Sequence, residues 1–333
     1  MKKAIGAIIW VAALCVCLAL ADGFFRRDDG ERKYGSFFKE EQPLDVMFLG
    51  SSRVLDGISP MELWRDYGVT SYNMGNSSEC IDASEWVLRI ASEQNKPKIA
   101  VLDVYYIDRS IEDRWHISYR HLFLDEIPLS RIKFEAVRST IPQDRWIEFL
   151  MPFSLYHGRW EEMLAGNVER MIDCEPFMMG SELRIGRRNG MPYERTTEMN
   201  TQEQPGTQAL YRIVSFCREQ GIEPVFMAIP APVSQKEQMN MNGVQLVADE
   251  LGVPFVNMYD DNPVNFDTDC YDELGHLNPD GATKVTAYMG EWLTEHYELE
   301  DKRSNAAYAH WNDNLELYEE FRLASWGHMT MLE

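Results

Sequence analysis

The sequence predicts an α/β fold, a three-layer αβα domain around a five-stranded, mostly parallel sheet. Three observations carry that expectation. Short apolar runs recur along the chain and alternate with segments of helical periodicity. Those runs are nearly continuous rather than alternating, as strands buried on both faces must be. An apolar content of 45%, with 12% aromatic residues, is enough to build a sizeable core and excludes wholesale disorder.

Residues 1–25 read as a targeting segment. Lys2 and Lys3 precede an apolar stretch from Ala4 to Ala21, and Arg26 and Arg27 follow it. An uncleaved signal anchor is expected, or else a signal peptide cut at Ala19-Leu20-Ala21. Both imply export of the remainder. The basic residues Arg26, Arg27, Arg32 and Lys33 beyond the segment run against the positive-inside pattern, although acidic neighbours offset them. A buried N-terminal helix of a cytosolic protein is the bland alternative. Residues 26–43 are charged, contain Gly30 and Gly35, and read as a linker.

The alternation then begins. Asp45 to Gly50 is a short apolar strand, Pro60 to Tyr67 a helix, Thr70 to Gly75 a second strand and Ser84 to Gln94 a second helix. Lys98 to Tyr106, after Pro97, is a third and strongly apolar strand. Residues 107–200 break the rhythm. They are rich in Arg, Trp, His and Met, contain Pro128, Pro142 and Pro152, and predict a helical insertion or cap. A helix from Leu210 to Gln220, a strand from Glu223 to Pro230, a helix from Gln235 to Leu251 and a strand from Val253 to Met258 resume the pattern. A final helix runs from about Gly281 to His296. Five strands in this arrangement suit a flavodoxin-like sheet within residues 44–300. A helical tail, 301–333, carries Trp311, Leu315 and Tyr318 at helical spacing, which should dock it on the body.

Charge and cysteine usage narrow the function. Thirty-two Lys and Arg against 54 Asp and Glu give a formal charge of −22, so a phosphate backbone is repelled and nucleic acid is not an expected partner. Any anionic polymer would have to be engaged locally. Cys15 and Cys17 lie in the apolar segment, while Cys80, Cys174, Cys217 and Cys270 are scattered without a Cys-x-x-Cys pair, so no zinc ribbon is expected. No metal or other cofactor is expected either, and disulfide pairing stays open.

Parallel sheets of this kind bind ligands at the carboxyl ends of their strands. The first strand ends in Gly50-Ser51-Ser52-Arg53, where a turn serine can be exposed beside backbone N–H groups that face an oxyanion. Small residues after a strand more often just make the turn. The second ends in Asn73-Met74-Gly75-Asn76. Its glycine lets backbone approach a ligand, or merely serves a turn of positive φ. Near the C-terminus, Cys270 to Ala282 places His276 on a loop before the last helix, with Asp272 and Glu273 four and three residues upstream. Either carboxylate could hold the imidazole Nδ1–H and leave Nε2 free to take a serine proton.

Together these blocks resemble the SGNH (GDSL-like) hydrolase superfamily. FLGSSRVLDGISP is similar to its first block and points to Ser52 as nucleophile. NMG is similar to the second, which implies that the Gly75 amide joins the Ser52 amide in an oxyanion hole. DELGHLNPDGA is similar to the last, with His276 as base. The resemblance covers residues 44–106 and 207–296 and is nearest to the membrane-anchored DltD-like and alginate O-acetyltransferase-like branch. Two departures stand out. The usual Asp-x-x-His spacing selects Glu273, whereas residue type selects Asp272, and Asp272 is preferred. The third strand ends in Asp103-Val104-Tyr105-Tyr106 and lacks the asparagine that the family places in the oxyanion hole.

The resemblance implies an extracytoplasmic serine acyl esterase or O-acyltransferase. It would act on an acyl ester substrate with a cell-envelope glycan or polymer acceptor, possible partner a membrane-bound O-acyltransferase. A catalytically weak envelope protein that keeps the fold for binding is the alternative. Outside the triad, His121 and Asp125 share i,i+4 spacing and read as a surface ion pair on a helix, or as part of an acceptor cleft. His116 and His157 have no sequence-near ligand set. Trp115, Trp146 and Trp160 should pack the insertion against the core or stack on sugar rings.

Overall fold

The computed structural model describes residues 2–25, 33–111, 114–156, 176–192 and 194–327. Lys2–Phe25 forms a single helix, α1, with Ile8, Ile9, Trp10, Val11, Leu14 and Leu20 exposed. Among the described residues no helix is long and apolar enough to cross a membrane.

The expected linker is in part a built element. Helix α2, Lys33–Phe37, buries Lys33, Tyr34, Ser36 and Phe37. Its Phe37 ring meets Tyr72 edge-on at 5.1 Å, and the Tyr72 hydroxyl donates to the Lys33 carbonyl at 2.8 Å. Burial of two aromatic rings on a strand edge outweighs the local preference of a charged, glycine-containing stretch for loop.

The sheet has five parallel strands: β1 Val46–Leu49, β2 Ser71–Asn73, β3 Ile99–Asp103, β4 Glu223–Ala228 and β5 Phe255–Asn257, in the order β2-β1-β3-β4-β5. Strand alternation divides the core in two. Met47, Leu49, Ala100, Leu102 and Phe226 face helices Ile81–Gln94 (α5), Thr207–Gln220 (α10) and Val244–Leu251 (α12). Val46, Phe48, Val101, Val225 and Met227 face Ser52–Gly57 (α3) and Pro279–His296 (α13), with Leu63 of Pro60–Tyr67 (α4). The three layers are thus those expected of parallel strands covered on both faces. The expected helix over 235–251 is broken at Gly243 into Gln235–Asn242 (α11) and α12, because the chain there presses on the Asn200 carbonyl.

The described part of the insertion opens with short helices. His121–Leu124 (α6), Arg131–Thr140 (α7), Trp146–Leu150 (α8) and Phe153–Tyr156 (α9) are short helices, preceded by a 3₁₀ segment at Arg114–Arg120. Residues 181–192 have neither helix nor strand and form an extended strap. Their backbone is satisfied by loops of the main domain: Glu182 N donates to Leu55 O, Arg188 N to Cys270 O and Met191 N to Glu273 O. In the strap these polar groups find partners outside any regular element.

The tail docks. In α14, Ala309–Arg322, Trp311 and Tyr318 are buried, and Trp311 packs on Trp64 with ring centroids 5.4 Å apart. Buried Glu62 accepts from the Tyr318 and Thr283 hydroxyls at 2.8 and 2.9 Å, with Arg322 at 3.3 Å, which joins α4, α13 and α14. Of the cysteines, Cys15, Cys17, Cys80, Cys217 and Cys270 are free. Cys174, His157 and Trp160 lie outside the described residues, as do the side chains of Trp115 and His116.

Candidate active site

The winding of the sheet reverses between β1 and β3, so a crevice opens at their carboxyl ends. The turn after β1 is held there by backbone geometry. Gly50 has φ +142°, and a Cβ on it would lie 2.8 Å from the Asp103 Cβ and 2.9 Å from Val54 Cγ2. No larger residue fits that conformation. Ser51 caps α3 by accepting from the Arg53 amide at 3.3 Å, and Ser52 becomes the first helical residue. Its N–H is therefore outside the helical ladder. No described residue accepts it.

The other half of the site is a tight loop. An antiparallel bridge pairs Cys270 with Leu277, and Tyr271 N donates to His276 O at 2.7 Å. Between them the chain turns through Gly275, whose φ of +79° and closeness to Pro232 admit no side chain: a Cβ would lie 2.1 Å from Pro232 Cδ. This left-handed turn absorbs the extra residue between Asp272 and His276. Asp272 Oδ1 accepts from the His276 amide at 3.1 Å, and Oδ2 accepts from Nδ1 at 2.7 Å. Glu273 is exposed, and its carbonyl accepts from Met191.

The two halves meet. The Ser52 hydroxyl lies 2.9 Å from His276 Nε2. With Nδ1–H given to a carboxylate, Nε2 carries the lone pair and the serine hydroxyl donates to it. Burial, and then the positive charge of Arg53, lower the His276 pKa, with Asp272 opposing them. The imidazole is therefore neutral at pH 7 and able to accept a proton.

Gly75 behaves differently from the expectation. Its N–H donates to Asn73 Oδ1 at 2.9 Å, so in this conformation it does not face open space. The reason for a glycine is the close approach of the turn that bears Ser52, since a Cβ would lie 2.7 Å from Leu55 N and 2.9 Å from Ser51 O. Positive φ falls instead on Ser78, at 56°. The Gly75 carbonyl accepts from the buried Lys33 ammonium of α2, which ties the N-terminal element to this loop. Asp103 sits behind Gly50, fully buried, and burial pushes its pKa up to about 7. It accepts from the Ile229 amide at 3.4 Å and serves the turn rather than an oxyanion.

Several site residues carried no clear sequence signal. Arg53 is buried beside Ser52, Tyr105 lies under its guanidinium, and Arg184 of the strap pairs with buried Asp56 at 3.1 Å. Arg53 could have been noticed as a cation next to the nucleophile, whereas nothing local marks Arg184. His121 and Asp125 do pair, at 2.9 Å, but not on the surface: their side chains are 9% and 5% exposed, and His121 stacks on Phe149 at 3.8 Å. The pair is part of the interior of the insertion because Phe149 of α8 covers it. Trp146 donates to the Ile141 carbonyl at 2.9 Å and packs against Phe134, within the insertion. A cavity of about 370 Å³ between α10 and α12 is lined by none of Ser52, Asp272 and His276, and its Asn200 and Asn240 bond each other.

No protein-family model matches the chain, and no curated protein matches it. Solved structures with a detectable likeness include a protein assigned to the lipolytic G-D-S-L family from Desulfitobacterium hafniense, at 9% identity and TM-score 0.39 over 74% of this chain and 98% of that one. A GDSL-like lipase from Bacteroides thetaiotaomicron aligns at 10% identity and TM-score 0.41, over 80% of this chain and 97% of that one. A protein described as an acylhydrolase from Bacteroides fragilis gives 10% and 0.41, over 79% and 94%.

Proposed function

We propose that this chain is a serine acyl esterase or O-acyltransferase with Ser52 as nucleophile, His276 as general base and Asp272 as the carboxylate that orients it. One observation carries the reading: an unbroken relay of 2.9 and 2.7 Å from Ser52 through His276 to Asp272, at the carboxyl edge of a parallel sheet. Ser52 Oγ attacks the acyl carbonyl carbon while its proton passes to Nε2. The tetrahedral oxyanion is received by the free Ser52 amide, and a second donor is supplied by rearrangement of the loop after β2. Collapse expels the leaving alcohol or thiol, which takes the proton back from Nε2. An acceptor hydroxyl, or water, then attacks the acyl-enzyme with His276 again as base.

Transfer to a cell-envelope glycan or polymer, in the manner of the DltD-like and alginate O-acetyltransferase-like branch, is the finer form of this proposal. An extracytoplasmic domain carried by α1, with its exposed apolar residues, and a membrane-bound O-acyltransferase as upstream partner complete this form of the proposal. The engaged Gly75 amide favours a second reading, a weakly active member that keeps the fold for binding. A fluorophosphonate probe separates the two. The wild type should label covalently and Ser52→Ala should not. Equal labelling of both, or none of the wild type, sinks the esterase reading. Protease accessibility of residues 33–327 on intact cells tests the topology, and full protection would overturn export.

A further inference from the structure

We propose that Arg53 is a positioning residue, one that fastens the loop bearing His276 to the turn bearing Ser52 and sets the field in which the imidazole accepts the serine proton. The inference rests on the catalytic reading of the same site and assigns it a residue that the triad does not include.

Arg53 follows the nucleophile directly and is 4% exposed. Its Nη2 donates to the Leu274 carbonyl at 2.6 Å, two residues before His276. That bond joins α3 to the base loop independently of the serine–histidine contact. The guanidinium lies over the Tyr105 ring at 4.9 Å, which fixes its plane. Its Nε and Nη1 find no acceptor among the described residues. Nor does any described carboxylate form an ion pair with it, in contrast to Arg184 on Asp56. Burial of an unpaired cation is costly, and an apolar side chain would fill the same space without that cost. A charge kept there under such conditions points to the neighbouring imidazole.

The groups around His276 can be placed one element at a time. Asp272 on the same loop holds Nδ1 and favours the imidazolium. Arg53 from α3 and Arg184 from the strap oppose it, after burial itself. Around Arg53 stand Asp103 at the end of β3, Asp56 on α3, Tyr105 and Tyr106 after β3, and Tyr259 after β5. Burial pushes both Asp56 and Asp103 up to about 7. Below that pH they become neutral and no longer offset the Arg53 charge from a distance, which is the range where the protonation of His276 is read.

The test is the second-order rate of Ser52 labelling by a neutral fluorophosphonate from pH 4.5 to 8.5, in full-length wild type, Arg53→Lys and Arg53→Met. Arg53→Met should move the acid limb to higher pH and lower the plateau about 10- to 100-fold, as expected when a base is misplaced. Arg53→Lys should keep the limb where it is, since the charge stays, and lose part of the plateau, since a point charge replaces a fixed fork. A limb that does not move in Arg53→Met, or that moves in Arg53→Lys, overturns the field. A plateau unchanged in Arg53→Lys overturns the fastening. If Arg53→Met does not fold, Arg53→Gln takes its place for the limb, and the lysine variant decides the fastening. Wild type that never labels defeats the catalytic reading and this proposal with it, whereas wild type that labels beside indifferent variants defeats this proposal alone.

Discussion

At the level of single residues the choice of orienting carboxylate turns on one glycine. Counting along the chain, Glu273 has the Asp-x-x-His spacing to His276 and Asp272 has the residue type. The left-handed turn at Gly275 brings the fourth residue back, not the third, to Nδ1. Asp272→Asn should therefore lower kcat/KM by about ten-thousandfold, the scale seen when a triad carboxylate is neutralised and the wrong tautomer is favoured. Glu273→Gln, at an exposed position, should stay near wild type. A colorimetric ester assay on the two variants checks this, and comparable losses in both would refute the assignment. The Gly75 amide shows the opposite limit of sequence reading. Its use depends on the rotamer of Asn73, two residues away, and no spacing rule contains that information.

Among the elements, the strands were the most legible because parallel strands buried on both faces leave almost no polar position within them. The strap was not legible. An extended segment that satisfies its backbone on distant loops has no periodicity of its own, and its attachment at Leu55, Cys270 and Glu273 exists only in three dimensions. The turn of the base loop offers a sharp test. Gly275→Ala meets Pro232 at 2.1 Å as well as an unfavourable φ, whereas Gly221, at φ +69°, has nothing within 4 Å. Gly221→Ala should cost about 1–2 kcal/mol from backbone strain alone and spare activity. Gly275→Ala should destroy activity at any temperature. Thermal melts paired with ester hydrolysis would tell, and an active Gly275→Ala would mean that the loop is looser than drawn. The docked tail is a structural element: Trp311→Ala, which removes a fully buried indole from Trp64, should cost about 3–5 kcal/mol in chemical denaturation.

For the whole molecule, charge and pH act together. Asp56, Glu79 and Asp103 are each pushed up to about 7, by burial in every case. In the unfolded chain such carboxyls release their protons near pH 4. The folded state therefore holds more protons between these values, and stability falls as pH rises from about 4 to about 7. The net charge of −22 adds self-repulsion on the same side. His276, lowered in the fold, acts the other way, with stability lost as pH falls below its unfolded value near 6.5. Asp45 does so further down. Burial alone would raise its pKa, but Lys302 and Lys98 hold it low, so its stabilisation is lost in stronger acid. Three carboxyls outweigh one imidazole. The melting temperature of the purified full chain should fall from pH 5 to pH 8 by at least about 3 °C, the shift that about 1 kcal/mol gives in a domain of this size. A flat or rising profile would show that the three acids are better paired than their burial implies.

Ser52 and His276 stand 224 positions apart in the chain. During synthesis, a ribosome must release most of the polypeptide before the hairpin at Cys270–Leu277 can close on the first turn. Until then Ser52 has no histidine partner, and the second half of the strap lacks its anchors at Cys270 and Glu273. Such distant closure is slow and comes late, because loop entropy is lost before the contact rewards it. On the proposed esterase reading the nascent chain is thus inert by topology: one that stalls or is clipped before residue 270 would carry Ser52 without the base that lets it attack an ester.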